Sequence, residues 1–513
     1  MGQTTILLMI ITILSKVFGF VRESVMAAVI GAGEIKSIYV TATTIPDIMM
    51  YTVIVGIVSA YIPVYTKLAS EKGESQANDF TANLINILMV YGAIAFVIIF
   101  VFASPIAKLF SPKLNGDSLA MAASFTRIMA LSIFTFLYSS VIRGYLNVKD
   151  SFIDPVFTGI ILNIIVIIST ILTGIFDNPY ILIIGTLFGF IFQFVRFPYV
   201  SKKKKFTHKR ILNFNDSYIK YLFAMMIPII ISSAANKIAI LIDKSMASAY
   251  LGIDSVAKIF YTENMLDFIV EVFTISIATI TLPQISKFGH NGQIEKMKEK
   301  TSSSLILTLA LVLPATFGMI SLANPIIKLI YERNAFTPAD TAIIVSLIRS
   351  YSPYIIFISF MKIISNSFYA VGDSRSPLLI ILGQQVINVI LNIILVKGYG
   401  IDGIAYATSI STLLAAIAIV IVYYKKFGLS NFSRDAKSLS KILLASIIMT
   451  IIAYYSYKLG SQRINLVISL FLAIMLGGIS YLILIWLIKV PEIEVLLEQL
   501  KDKIKKKRWW SYV

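Results

Sequence analysis

Long apolar runs, each closed by a short polar or basic stretch, set the pattern of this chain. Measured against the roughly 20 residues that cross a hydrocarbon core about 30 Å thick, they predict about fourteen helices, at 5–31, 37–65, 81–104, 119–146, 152–175, 179–199, 217–250, 254–284, 302–323, 340–369, 376–396, 402–424, 438–457 and 464–489. The expected fold class is an all-α polytopic membrane protein. The run after Met1–Thr5 has no preceding Lys/Arg cluster, outlasts a signal-peptide core and lacks a small-residue cleavage site, so it reads as the first transmembrane helix.

Part of the pattern occurs twice. Ser15-Lys16-Val17-Phe18-Gly19-Phe20-Val21-Arg22-Glu23-Ser24 in helix one recurs in helix seven, with Lys16 on Lys237, Ser24 on Ser245 and Gly31 on Gly252, an offset of 221 residues. Ala60-Tyr61-Ile62-Pro63 with Lys67 resembles Ile280-Thr281-Leu282-Pro283 with Lys287, at an offset of 220. A shift by six helices keeps orientation, so the expected repeats are parallel, related by an axis along the membrane normal. The expected organisation is a six-helix lobe at 1–200, a second at 217–425, two extra helices at 438–489 outside the duplication, and a basic cytoplasmic tail at 490–513. In that tail Ile493, Leu496, Leu497, Leu500 and Ile504 share a face ahead of Lys505–Trp510. Both an amphipathic helix on an anionic leaflet and a solvated, topology-fixing tail fit that pattern.

Composition narrows the class further. The chain is 57% hydrophobic and 14% charged, with a formal net charge of +18. In a soluble protein that charge would suggest nucleic acid. Here the cations gather in alternate connections: Lys67 and Lys72; Lys202–Lys205, Lys209 and Arg210; Lys287, Lys296, Lys298 and Lys300; Lys425, Lys426, Arg434 and Lys437. The positive-inside rule accounts for them, places both termini in the cytoplasm and leaves no nucleic-acid partner to expect. The absence of cysteine excludes disulfides, thiolate metal sites and Cys nucleophiles, and His208 and His290 lie in polar connections. With no nucleophile, base and metal constellation, an enzyme is not expected.

Charges within the apolar runs carry the remaining chemistry. Lys16 and Arg22 lie in helix one, Asp47 beside Pro46 in helix two, and Lys237, Asp243 and Lys244 in helix seven. Glu263, Asp267 and Glu271 recur at i, i+4 and i+8 in helix eight, and Lys362 lies in helix ten. An ionised side chain at the bilayer centre costs about 2.5–3.5 kcal/mol, so these groups should face a wet cavity or one another. Lys16, Arg22 and Lys237 suit a phosphate or diphosphate, each charge-assisted hydrogen bond contributing about 1.5–3 kcal/mol. The competing reading is mutual neutralisation in ion pairs, or snorkelling. Asp243 with Asn388, Asn392 and Thr408 forms a candidate sodium site, against the alternative that the amides hydrogen-bond between helices.

Ser15-Lys16-Val17-Phe18-Gly19-Phe20-Val21-Arg22, then Gly31-Ala32-Gly33, Ile45-Pro46 and Tyr61-Ile62-Pro63, resemble the N-terminal signature of the MurJ/MviN-type lipid II flippases of the MOP exporter superfamily. The resemblance spans nearly the whole chain and includes Ser365-Asn366-Ser367-Phe368-Tyr369-Ala370 followed by Asp373-Ser374-Arg375-Ser376-Pro377. It implies a fourteen-helix flippase of the bacterial cell membrane that moves an undecaprenyl-diphosphate-linked glycan outward by alternating access. It also implies that Lys16, Arg22, Lys362, Glu263 and Asp267 line its cavity and that the last two helices form a lipid-tail groove. The chain departs from the family pattern at Ser37, where an aspartate is usual, and at Met50 and Tyr51, where arginines are. Val55 replaces a glutamate and Asn264 an arginine, so Lys237 reads as a replacement cation. These departures leave another lipid-linked oligosaccharide open as cargo. A cation-coupled multidrug antiporter using Asp47, Asp243 or Glu263, and a membrane scaffold for envelope synthesis, are the readings from other classes.

Overall fold

The computed structural model describes residues 2–151, 153–428, 432–491 and 494, and every regular element among them is helical. The apolar runs become α1 (Gly2–Ile30), α2 (Glu34–Lys72), α3 (Glu74–Val101), α4 (Gly116–Val148, broken at Leu131), α5 (Ile153–Phe176), α6 (Pro179–Phe192, continued by Arg196–Lys203) and α7 (Ser217–Leu251). There follow α8 (Asp254–His290), α9 (Ile294–Ile330), α10 (Pro338–Ala370), α11 (Arg375–Tyr399), α12 (Ile401–Phe427), α13 (Phe432–Gly460) and α14 (Leu466–Ile488). A short helix, Ala103–Phe110, trails α3. Among the described residues twelve helices are long and apolar enough to cross a membrane, and α1 and α7 bring the rods to the fourteen expected.

Two features differ from the expectation. α3 starts at Glu74 rather than near 81, because its polar first turns have partners outside the helix: Glu74 pairs with Lys149 at 2.8 Å and Asp79 with Lys209 at 2.5 Å. α8 is interrupted by a π-helical turn, Val270–Ile275, that contains Glu271. The amphipathic reading of the C-terminal tail concerns residues outside those described.

By internal packing the chain divides into two compact units. The first holds the residues up to Lys258 together with Tyr331–Thr337, and the second holds Ile259–Ile330 and the residues from Pro338 onward. In the first, α1 packs on α5, α5 on α6, and α2 on both α4 and α7. Its core gathers Tyr61, Tyr65, Phe80 and Tyr145 around small residues such as Gly144. In the second, α9 packs on α10, α11 on α12, and α13 on α14 and α9. There the Tyr481 hydroxyl of α14 donates to the Ala310 carbonyl of α9 at 2.5 Å.

One backbone feature recurs at a near-constant spacing. Left-handed residues recur in pairs, 31 with 252, 73 with 292, 116 with 334, 150 with 372, 177 with 400 and 205 with 428, at offsets of 218 to 223. Gly31 and Gly252 close α1 and α7 with the same bond, their N–H groups donating to Ala27 and Ser248 at 3.0 and 3.1 Å. α4 and α10 likewise end alike: Ser151 N–H donates to Leu146 and Asp373 N–H to Phe368, both at 2.9 Å, the wide bond of a Schellman cap.

The connection after α6 is strapped along α3 by asparagines. Asn78 Nδ2 donates to the Lys205 carbonyl at 3.3 Å, and Asn86 Nδ2 to those of Lys209 and Ile211 at 2.9 and 2.7 Å. Asn83 exchanges two bonds with the Asn213 backbone, at 3.0 and 2.8 Å. A segment too short to fold by itself is thereby ordered.

Candidate functional site

In the first unit a tight hairpin builds the charged site. Gly31 takes φ of +68°, which costs glycine nothing and lets the chain reverse through Ala32 and Gly33 into α2. Lys36, near the start of α2, is thus folded back over Glu23, about two turns before the end of α1. Glu23 Oε1 accepts from Arg22 Nε and Nη2 at 3.0 and 2.7 Å, and its Oε2 accepts from Lys36 Nζ at 2.8 Å. Lys36 is fully enclosed and Glu23 nearly so, whereas Arg22 keeps about a quarter of its side chain exposed.

The surroundings of this triad are ordered as well. Lys36 Nζ lies 3.1 Å from Met26 Sδ and 5.4 Å from the Tyr39 ring centroid, and the Tyr39 hydroxyl shares a 3.2 Å hydrogen bond with Thr186. Lys244 of α7 is in electrostatic range of Lys36, and Tyr331 in range of Glu23 and Arg22. Tyr331 arrives on the Tyr331–Thr337 segment, whose Ala335 N–H donates to the Ala28 carbonyl of α1 at 3.1 Å. An isolated buried charge is very costly, so each member of the triad requires the others.

Other expected residues fall out as follows. Lys237 stands over the Tyr51 ring, 4.4 Å from its centroid. Lys16 is exposed and Asp243 buried, both in the first unit, while the side chain of Asp47 lies outside those described. In the second unit Glu263 is half-buried, Asp267 and Glu271 are exposed, and both of the latter lie in electrostatic range of Lys362. Thr274, in the π-helical turn, donates to Ser359 at 2.6 Å and so ties α8 to α10 one turn from Lys362. Asn264 turns back to its own helix, donating to the Phe260 carbonyl at 3.1 Å.

The residues of the candidate sodium site divide between the units. Asn392 Nδ2 donates to Asn388 Oδ1, and Asn388 Nδ2 to Thr408 Oγ1, both at 3.1 Å; Gln384 Nε2 donates to Thr412 at 2.8 Å. This is an amide–hydroxyl ladder between α11 and α12. Asp243 belongs to the first unit.

Glu23 and Lys36 were not singled out from sequence. Lys36 sits just beyond Gly31-Ala32-Gly33 and reads there as a helix-end cation. The signal present in the sequence was the shortness of that turn, which forces Lys36 to lie beside the last turns of α1. Ser37 is engaged too, its hydroxyl accepting the Ala257 N–H in the first turn of α8 at 3.1 Å.

A chain with twelve helices long and apolar enough to cross a membrane among its described residues, and with charged side chains buried among them, falls in a recognisable class. An inward-facing multidrug resistance MATE family transporter of the MOP superfamily has the same fold, with a TM-score of 0.69 over 82% of this chain and 98% of that one at 12% identity. The class is thus that of multi-pass α-helical membrane proteins with this fold. The family model described as lipid II flippase MurJ matches residues 26–477, and the chain belongs to that family. Among relatives, the probable lipid II flippase MurJ of Rickettsia prowazekii is 28% identical over 491 residues, covering 93% of this chain and 96% of the relative. That of Thermotoga maritima is 25% identical over 493 residues, covering 95% and 97%. A solved structure of lipid II flippase MurJ in an inward closed conformation superposes with a TM-score of 0.80 at 25% identity, over 93% of this chain and 98% of that one.

Proposed function

We propose that this chain translocates an undecaprenyl-diphosphate-linked glycan precursor, lipid II, across the bacterial cell membrane by alternating access, with both termini in the cytoplasm. The observation that carries the reading is the enclosed Arg22–Glu23–Lys36 triad, two cations on one carboxylate, in a chain matched by the MurJ family over residues 26–477. A diphosphate is the ligand that a partly exposed arginine side chain in a group with surplus positive charge recognises best. Arg22, Lys16 and Lys237 of the first unit receive it; Asp267, Glu263 and Lys362 are the charged candidates within the second unit. The large apolar side chains that α14 exposes, Phe471, Leu482 and Trp486 among them, suit a lipid-tail path along α13 and α14.

A second reading keeps the mechanism and changes the glycan. Tyr51 and Asn264 stand where family arginines are expected and are engaged by Lys237 and by the α8 backbone. That favours a headgroup recognised through fewer guanidinium contacts.

Native mass spectrometry of the purified protein, scored for co-purifying undecaprenyl-diphosphate species, separates the two readings by mass. Replacement of Arg22 by Ala should abolish complementation of a flippase-depleted cell. Full activity of a normally folded Arg22→Ala protein would remove Arg22 from the mechanism.

A further inference from the structure

We infer that Lys36 is a positioning residue that sets how strongly this site attracts an anion, by taking up the charge of Glu23 so that Arg22 is left with a positive surplus. The inference rests on the flippase reading and names a determinant within it. At the start of α2, Ser37 is a neutral hydrogen-bond acceptor, taking the Ala257 N–H at 3.1 Å. Its neighbour Lys36 turns the opposite way, into α1, where it is entirely enclosed and ends 2.8 Å from Glu23 Oε2.

The geometry divides Glu23 between its two partners. One carboxylate oxygen is given to Arg22 and the other to Lys36. Arg22 and Glu23 alone would be a neutral pair, and the guanidinium would attract an incoming phosphate weakly. With Lys36 the three side chains sum to +1, with Lys244 of α7 also in electrostatic range, and Arg22 is the member that remains partly exposed. Lys36 itself has no exposed surface, so it acts through Glu23 and Arg22 rather than by touching cargo. Loss of one unit charge in a poorly screened site should weaken anion binding by about tenfold or more, the equivalent of roughly 1.4 kcal/mol.

The test is a charge series on the full-length protein in detergent, with undecaprenyl diphosphate as the probe. Lys36→Met brings the net charge to zero and should weaken binding about tenfold. Lys36→Arg retains it and should bind as the parent does. Glu23→Gln with Lys36→Met restores a net +1 and should recover most of the lost affinity, which a purely structural role for Lys36 would not produce. Glu23→Gln alone raises the charge to +2 and should tighten binding, and it remains informative if Lys36→Met fails to fold. Equal affinity across the folded members of the series, with the parent binding well, overturns the role of Lys36 and leaves the flippase reading intact. Absence of binding by the parent sinks that reading, and this inference with it.

Discussion

The ammonium of Lys237 lies 4.4 Å from the centroid of the Tyr51 ring, so the cation that α7 carries into the apolar region is seated on an aromatic face of α2. Tyr51 occupies a place where the family pattern leads one to expect an arginine. Positive charge is therefore supplied near it from the neighbouring helix. A cation–π contact contributes about 0.5–2 kcal/mol, so Tyr51→Leu should weaken undecaprenyl-diphosphate binding by roughly two- to thirty-fold. Tyr51→Phe should leave it nearly unchanged. An effect of Tyr51→Phe as large as that of Tyr51→Leu would assign the role to the hydroxyl instead.

Gly31 should be intolerant of any side chain. A Cβ there would lie 2.5 Å from the Ala335 carbonyl oxygen, and the left-handed backbone adds about 1–2 kcal/mol for a non-glycine residue. Gly31→Ala should lower the thermal midpoint of the purified protein. Gly33→Ala, two residues on, meets nothing within 4 Å and should leave the midpoint unchanged.

The strap along α3 depends on Asn83, whose amide both donates to and accepts from the Asn213 backbone. Asn83→Leu removes both bonds to the Asn213 backbone, each contributing about 0.5–1.5 kcal/mol. Limited trypsin digestion should then cleave after the exposed Lys209 and Arg210 faster than in the parent. Unaltered cleavage kinetics would show that the other asparagines suffice.

Asp373, in the turn between α10 and α11, provides a pH handle. Burial alone would raise its carboxyl pKa, yet hydrogen bonds from Lys426, the Ser376 hydroxyl and the Ser376 N–H, with the Lys426 charge, hold it well below the usual range. A depressed folded-state value stabilises the protein above the unfolded carboxyl's pKa, about 3.9, and that contribution is lost as pH falls below it. The thermal midpoint should therefore drop on acidification below about pH 4, and Asp373→Asn should reduce that drop while lowering stability at neutral pH.

Helix number and order were legible because a spanning helix has to present about twenty apolar residues in a row, which few soluble patterns imitate. The recurring helix end was legible at Gly31 and Gly252, because a positive φ at such an end favours glycine. The site was less so. Arg22 was found as a cation at depth, but its partners come from adjacent sequence and from across a tight turn, where Glu23 and Lys36 look like ordinary helix-end charges. The π-helical turn around Glu271 left no mark in the apolar periodicity, because one extra residue in a fully apolar rod does not disturb its composition. Asn388, Asn392 and Thr408 were grouped by residue type and helical spacing, and hydrogen bonds join all three.

The paired left-handed turns also make each half of the molecule a template for editing the other. Asp150 and Gly372 both take a positive φ inside the same wide helix cap, one with a side chain and the other without. The bend is thus kept where the residue that makes it is not. An engineer seeking a sturdier variant of this protein has one glycine substitution, at Asp150, already tried by the protein itself at the matching cap.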